Sequence, residues 1–306
     1  MEELNLLLFQ LEKLKDSLQS FVYGSVEIRE KQDNKYIYVH YREDGVLYTK
    51  YVGEYSNELY NLILTNNEKV KQIKKEIKRL RKQLKELGYI ETSVSKEVAL
   101  NIDFARKNLA DTIYKQAVLE GIATTYADTE TIIEGGKVGN MTADDILKVV
   151  NLKHSWDFIL NKNIIVLPTN FSLLCQINKF ILEGFFYNAG MVRSVPVSIG
   201  GTSWKPQIPI ESDIKDDLEN IIKEQIEDID KAIELLLFVM KKQIFIDGNK
   251  RTAVVFANHY LIGKAKGLIS IPNDKVEDYK KLLIEYYENN NNEIKHFLKE
   301  YCYKKI

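Results

Sequence analysis

From about Lys96 to the C-terminus, apolar residues recur at three- and four-residue steps almost without a break. That spacing commits this part of the chain to packed helices. Leu235–Met240 is an uninterrupted apolar stretch within it, which predicts a helix at the centre of a bundle. The one interruption is Arg193–Pro209, punctuated by proline and glycine. There Val195, Val197 and Ile199 alternate before Gly200-Gly201, which predicts a β-hairpin standing out from the helical body. The expected architecture is therefore mainly α, a helical bundle carrying a hairpin flap.

The first ninety or so residues obey different periods. Met1 to about Phe21 reads as an amphipathic helix, with Leu4, Leu7, Leu8, Leu11, Leu14 and Leu18 on one face. Ser25–Glu30, Tyr36–Arg42 and Val46–Val52 alternate as strands do, separated by Gln32-Asp33-Asn34 and Glu43-Asp44-Gly45, both suited to turns. This predicts a small antiparallel meander studded with tyrosines. A long helix follows, in which Val70, Ile73, Ile77, Leu80, Leu84 and Leu87 form a heptad seam. Residues 68–87 carry nine Lys or Arg against Glu68, Glu76 and Glu86. Such a helix is either a solvated arm, free to pair with itself or a partner, or a surface for nucleic acid or an acidic protein. Gly88 and Thr92-Ser93 close this α+β module. The expected domains are 1–92 and 93–306.

Bulk properties narrow the partners. With 43 Lys and Arg against 44 Asp and Glu, any affinity for a polyanion must be local. The N-terminus places acids before its apolar stretch, the wrong order for a secretory signal, and no apolar run approaches the ~20 residues of a membrane span. Cys175 and Cys302 are isolated and form neither a disulfide framework nor a zinc pattern. A reduced, cytoplasmic protein without a membrane partner is expected.

Chemistry concentrates in Gln243–Ala253, QIFIDGNKRTA. An apolar helix runs into Asp247-Gly248-Asn249, and a second helix starts near Lys250. A glycine turn feeding a helix N-terminus aims several backbone N–H groups at one point, where the helix dipole also favours an anion. Lys250 and Arg251 add charge, and Asp247 can hold Mg²⁺ on bound phosphates. The same tripeptide also serves as an ordinary interhelical turn.

This stretch resembles the Fic/Doc family, whose signature is His-Pro-Phe-x-(Asp/Glu)-Gly-Asn-(Gly/Lys)-Arg. Phe245, Asp247, Gly248, Asn249, Lys250 and Arg251 match it. Upstream, Asn188-Ala189-Gly190 and Arg193, then Val195–Ile199 and Pro206–Pro209, resemble the family's flap and its entry. Thr131–Gly135 and Met141–Asp145 resemble its inhibitory segment (near residues 119–136) and the capped helix after it. Ile269–Pro272, Tyr279 and a terminal helix pair resemble its ending. The resemblance implies a Fic-type helical bundle that transfers a phosphate-containing group, usually AMP from ATP, to a hydroxyl of a target protein. On that scheme Asp247 binds Mg²⁺, while Gly248, Asn249 and Arg251 hold the nucleotide's phosphates. Gln243, Phe245 and Lys250 occupy catalytic positions, and Val197, Ser198, Ile199 and Gly200 align the target at the flap by strand addition.

The chain departs from the pattern in three places. Gln243 stands where the family keeps its histidine, and an amide cannot accept a proton near neutrality. Loss of a general base costs about 10² to 10⁴ in rate. None of His40, His154, His259 and His296 lies in the motif. Lys250 replaces the second glycine, as in the Doc branch, which is associated with moving the terminal phosphate. Val254 replaces a second arginine, so that Glu134 either reaches Arg251 or is simply a helix-end carboxylate. Three readings follow: a slow or unusual transferase or kinase, a pseudoenzyme that binds nucleotide as an antitoxin-like or scaffold partner, and a docking module built on the N-terminal region.

Overall fold

The computed structural model describes residues 2–31, 34–43, 46–87, 89 and 94–306. The predicted turn residues Gln32, Asp33, Asp44 and Gly45, and the closing residues Gly88, Thr92 and Ser93, lie outside that set. Contacts divide the chain into two compact units, Met1–Glu91 and Thr92–Ile306.

In the first unit, α1 (Glu2–Gln19) precedes a three-stranded antiparallel sheet of β1 (Ser25–Lys31), β2 (Asn34–Glu43) and β3 (Val46–Glu54), in the order β1-β2-β3. Alternation along β2 sends Ile37 and Val39 to the inner face. There they pack with Ile63 of α2 (Asn57–Glu86), flanked by Val22, Val26, Val52 and Leu59. Ser56 caps α2 by accepting the Leu59 N–H at 3.1 Å. Two helix asparagines grip the chain entering β1. Asn66 Nδ2 donates to the Val22 carbonyl at 3.0 Å, while Asn67 Oδ1 accepts from Gly24 N at 2.8 Å and its Nδ2 donates to Gly24 O at 3.0 Å. Farther along α2 the seam of Val70, Ile77, Leu80 and Leu84 is buried, and α1 packs against this helix. Of the predicted seam, Val70, Ile77, Leu80 and Leu84 are thus buried within this unit, while Leu87 is 44% exposed. The basic face of α2 stays exposed.

The second unit is helical: α3 (Lys96–Lys107), α4 (Leu109–Leu119), α5 (Tyr126–Ile133), α6 (Ala143–Ile159), α7 (Lys162–Ile165), α8 (Phe171–Ile181), α9 (Glu211–Lys223), α10 (Asp228–Lys242), α11 (Asn249–Gly263), α12 (Val276–Asn289) and α13 (Glu293–Phe297). Strands β4 (Leu268–Ile269) and β5 (Tyr303–Lys304) tie its end back to the residues after α11. At the centre α11 packs on α10, α8, α6, α3 and α7, and Asn249 to Ile262 are buried except Lys250. Leu235, Leu236, Leu237, Val239 and Met240 of α10 are fully enclosed, as an apolar run demands.

The predicted hairpin is corrected. Residues 193–209 form an extended loop with a turn at Gly200-Gly201 and no strand pairing. Its acceptors are taken by side chains from outside the loop's turn. The Arg193 guanidinium donates to Val195 O at 2.7 Å and to Gln207 O at 2.6 Å. Pro196, Pro206 and Pro209 have no N–H to offer a ladder. At the turn, Glu288 accepts from Ser203 N at 3.1 Å and from the Thr202 hydroxyl. These bonds hold the Glu288 carboxyl below the usual carboxylate range. Alternation survives in burial alone: Val197 and Ile199 are half-buried, Ser198 and Gly200 exposed.

Candidate phosphate-binding loop

Helix α10 stops because Gln243 adopts a left-handed conformation, φ 46° and ψ 60°. A side chain here costs about 1 kcal/mol, and four hydrogen bonds hold it in place. Gln243 Nε2 donates back to Met240 O at 2.6 Å, and Gln243 Oε1 accepts from Asn249 Nδ2 at 3.2 Å. Arg193 Nε donates to the Gln243 carbonyl at 2.5 Å, and Arg193 N to the Ile244 carbonyl at 3.0 Å. Both ends of the Gln243 amide are committed to protein partners.

Ile244 and Phe245 then plunge into the core with no exposed surface. Asn249 closes the loop over them, its Oδ1 accepting from Phe245 N at 2.9 Å and its Nδ2 donating to Phe245 O at 2.8 Å. Gly248 completes the turn at φ 72°. A Cβ at this position would lie 2.9 Å from Ile181 Cγ2 and 3.2 Å from Leu182 Cδ2, so glycine alone fits. Helix α11 begins without a side-chain cap, and its first internal bond is Thr252 N to Gly248 O at 2.8 Å. The N–H groups of Asn249, Lys250 and Arg251 therefore precede the helical ladder and point outward along its axis.

Asp247 is half-exposed at the loop's tip, with its Oδ2 3.1 Å from Arg251 Nη2. The second carboxylate at Arg251 is Glu120, the C-cap of α4, with Oε2 3.3 Å from Nε. Both Glu120 Oε1 and Arg251 Nε are buried without a well-formed hydrogen bond. Glu134 instead sits exposed at the C-terminus of α5, so the acid beside Arg251 is not the one the sequence pointed to. Lys250 is half-buried in the first turn of α11. The structure thus brings together Gln243, Phe245, Asp247, Gly248, Asn249, Lys250 and Arg251, and it leaves Glu134 apart from Arg251.

Three supporting residues were missed in the sequence. Asn178 of α8 is fully buried and donates to Asp247 O and to Thr252 Oγ1, each at 3.1 Å, while its Oδ1 accepts from Gly190 N at 3.0 Å. Gly190, φ 78°, must be glycine because a Cβ would meet Cys175 O at 2.6 Å. Gln116 of α4 donates to Arg251 O at 2.8 Å and accepts from Trp156 Nε1 at 3.0 Å. Glu120 is the third. Their one sequence signal is a polar residue on an otherwise apolar helix face. His259 is not a replacement base. It is fully buried, with Nε2 donating to Ile164 O at 3.0 Å and Nδ1 2.9 Å from Thr169 Oγ1. Burial pulls its pKa down to about 4.

Beside Gln243 runs an open groove of about 400 Å³ between the 204–210 segment and the ends of α9 and α10, walled by Trp204, Gln207, Ile208, Ile210, Lys241 and Lys242. Trp204 is fixed by stacking on Tyr287 at 5.5 Å and 18°. Ile208 and Ile210 are 49% and 61% exposed.

Residues 168–261 match the family model described as the Fic/DOC family, and this span carries that domain. Among solved structures, the chain is similar to a Fic domain containing signaling protein from Bacteroides thetaiotaomicron, with TM-score 0.55, 20% identity and coverage of 68% of this chain and 87% of that one. Fic-1 from C. elegans aligns with TM-score 0.53 and 15% identity over 78% of this chain and 76% of its own. A Fic family protein from Desulfovibrio desulfuricans aligns with TM-score 0.52 and 14% identity over 69% of this chain and 73% of its own. At these identities the likeness establishes a shared fold. No curated protein matches the chain in sequence. No helix among the described residues is long and apolar enough to cross a membrane.

Proposed function

We propose that the Gln243–Arg251 loop binds a nucleotide or another phosphate ligand, and that the protein is a relative of protein AMP transferases impaired by Gln243. The observation that carries this reading is the uncapped N-terminus of α11 behind Gly248, flanked by Lys250 and Arg251. Three backbone donors that precede the helical ladder converge there with the helix dipole, beside Lys250 and an Arg251 held by Asp247 and Glu120. A single carboxylate, Asp247, suits Mg²⁺ that arrives with phosphates, because Mg²⁺ keeps most of its shell for water and phosphate oxygens. Bound there, the ion would neutralise charge developing on the phosphates.

Gln243 occupies the position of the family's histidine, where a general base is needed for a target hydroxyl. Its amide has no usable pKa and both its ends are already bonded. The groove walled by Trp204 and Lys242 is where a target segment would lie, its apolar side chains against Ile208 and Ile210. Lys250 keeps a second reading alive, transfer of the terminal phosphate, since its side chain crowds the turn where an α-phosphate would approach.

The test follows ATP labelled at the α- or the γ-phosphate, with Mg²⁺ and cell lysate, for the native chain and for Gln243→His. The expected result is nucleotide binding by both and labelling by the histidine form alone, faster by about 10² to 10⁴. Label from the native chain at the same rate refutes the impairment. Label from γ-ATP alone identifies a kinase. Absence of ATP-induced stabilisation in both proteins refutes the site itself.

A further inference from the structure

The first unit carries features that the phosphate-binding loop does not use. Along α2, Lys71, Lys74, Lys78, Arg81 and Lys85 follow one another at three- and four-residue steps and are all exposed. They form a single stripe about 21 Å long, at 1.5 Å of rise per residue. Glu68, Glu76 and Glu86 all fall off that stripe. The cations paired with two of them, Arg79 with Glu76 and Lys82 with Glu86, lie outside it as well.

An aromatic row joins this stripe at Lys74. The Lys74 ammonium sits 4.6 Å from the Tyr23 ring centroid, Tyr23 lies 5.6 Å from Tyr41, and Tyr41 lies 5.6 Å from Tyr48 at an interplanar angle of 21°. The row climbs from the helix onto β2 and β3 and becomes more open as it goes, ending at Tyr48, 45% exposed, beside Val46 at 54%. On the opposite face of the sheet Arg29 stands 4.4 Å over Tyr38, which packs with Tyr51 at 5.4 Å.

We propose that this unit binds a single-stranded nucleic acid, with the sugar-phosphate backbone along the Lys71–Lys85 stripe and unpaired bases stacked on the Tyr41–Tyr48 end of the aromatic row. Cations aligned without intervening acids suit a polyanion, and exposed rings continuous with them suit π-faces, which stack regardless of sequence. A duplex holds its bases in its own stack and would leave the tyrosines without a role. An acidic peptide would use the cations and leave the rings unexplained.

Fluorescence anisotropy of the full chain with labelled oligo(U) or oligo(dT) of about 20 nucleotides tests this, a length that covers one or more binding sites of such a surface. Binding at low salt is expected. It should weaken roughly 50-fold between about 50 and about 200 mM salt if about four phosphates are neutralised. Lys71→Glu with Lys78→Glu should weaken it by at least about tenfold. Lys69→Glu with Arg79→Glu changes net charge equally on the opposite side of the helix and should shift it by no more than about twofold. Tyr48→Leu keeps an apolar side chain but removes the ring, and should weaken binding about tenfold with an unchanged melting temperature.

Absence of binding at low salt overturns the proposal. So do equal losses from the two charge-reversed pairs, or an unaffected Tyr48→Leu. A duplex of the same length, or polyglutamate, bound as tightly as the single strand also overturns it. A preference between oligo(U) and oligo(dT) identifies RNA or DNA as the natural form.

Discussion

Asn178→Ala tests how the phosphate-binding loop is held. The amide joins three segments: the loop carbonyl of Asp247, the hydroxyl of Thr252 in the first turn of α11, and the N–H of Gly190 at the entry to the 193–209 loop. Truncation leaves one acceptor, one hydroxyl and one N–H without their partner. An orphaned buried group costs about 1–3 kcal/mol. Water admitted to the space left by the amide recovers part of this for Asp247 O and Gly190 N, which are less enclosed than Thr252 Oγ1. The expected loss is therefore about 3–4 kcal/mol, a large fraction of the ~5–15 kcal/mol that holds a domain folded.

Both tryptophans, Trp156 and Trp204, lie in the second unit, so their fluorescence in urea follows this unit alone. The midpoint should fall with little change in slope. Lys179→Ala, the exposed neighbour, should stay within about 0.5 kcal/mol of the native chain. The stabilisation conferred by MgATP should also shrink, because the Asp247 carbonyl is no longer tethered. A loss under about 1 kcal/mol from Asn178→Ala, or an equal loss from Lys179→Ala, refutes the reasoning.

Three further outcomes are expected. His259 is neutral when folded, its pKa held near 4 against about 6.5 unfolded. The unfolded chain therefore binds more protons between these values, and stability present above the unfolded pKa is lost as pH falls toward the folded one. Urea titrations should show about 2 kcal/mol less stability at about pH 5 than at about pH 7, a difference that His259→Asn should remove. Gly248→Ala combines a left-handed φ with a methyl 2.9 Å from Ile181 Cγ2; a loss of about 2 kcal/mol and of MgATP stabilisation is expected by thermal melting. Glu120→Gln removes an anion that competes with phosphate at Arg251. It should tighten MgATP binding about tenfold in calorimetry while lowering stability by about 1–3 kcal/mol, and weaker binding would argue that Glu120 positions Arg251 for its ligand.

Elements with strong periods were legible. The leucine pattern before Phe21 became α1, the alternating tyrosine-rich segments became β1–β3, and the apolar run of Leu235–Met240 became the buried centre of α10. The Asp247-Gly248-Asn249 turn was readable because its geometry is local: a left-handed glycine between two helices. What the sequence hid was tertiary. Asn178 and Gln116 sit among apolar residues, where a helical pattern registers them only as interruptions, and just the fold reveals which backbone groups they satisfy. Glu120 lies beside Arg251 although 131 positions separate them, and the family pattern drew attention to Glu134 instead. The hairpin expectation failed for a related reason. Val197 and Ile199 alternate in burial with Ser198 and Gly200 as a strand would, yet a guanidinium takes carbonyls that a second strand would have needed.

That guanidinium has a consequence for how the chain can change. Arg193 grips the carbonyls of Val195, Gln207 and Gln243, atoms that every amino acid possesses, and it does so from outside the turn it supports. Exposed positions such as Ser198 and Lys205 can therefore change without the loop losing these anchors, whereas Thr202 and Trp204 stay tied to Glu288 and Tyr287. The freedom is asymmetric. A lysine at position 193 lacks the planar fork that reaches three directions at once, so this cation cannot be exchanged for the other without loosening the loop.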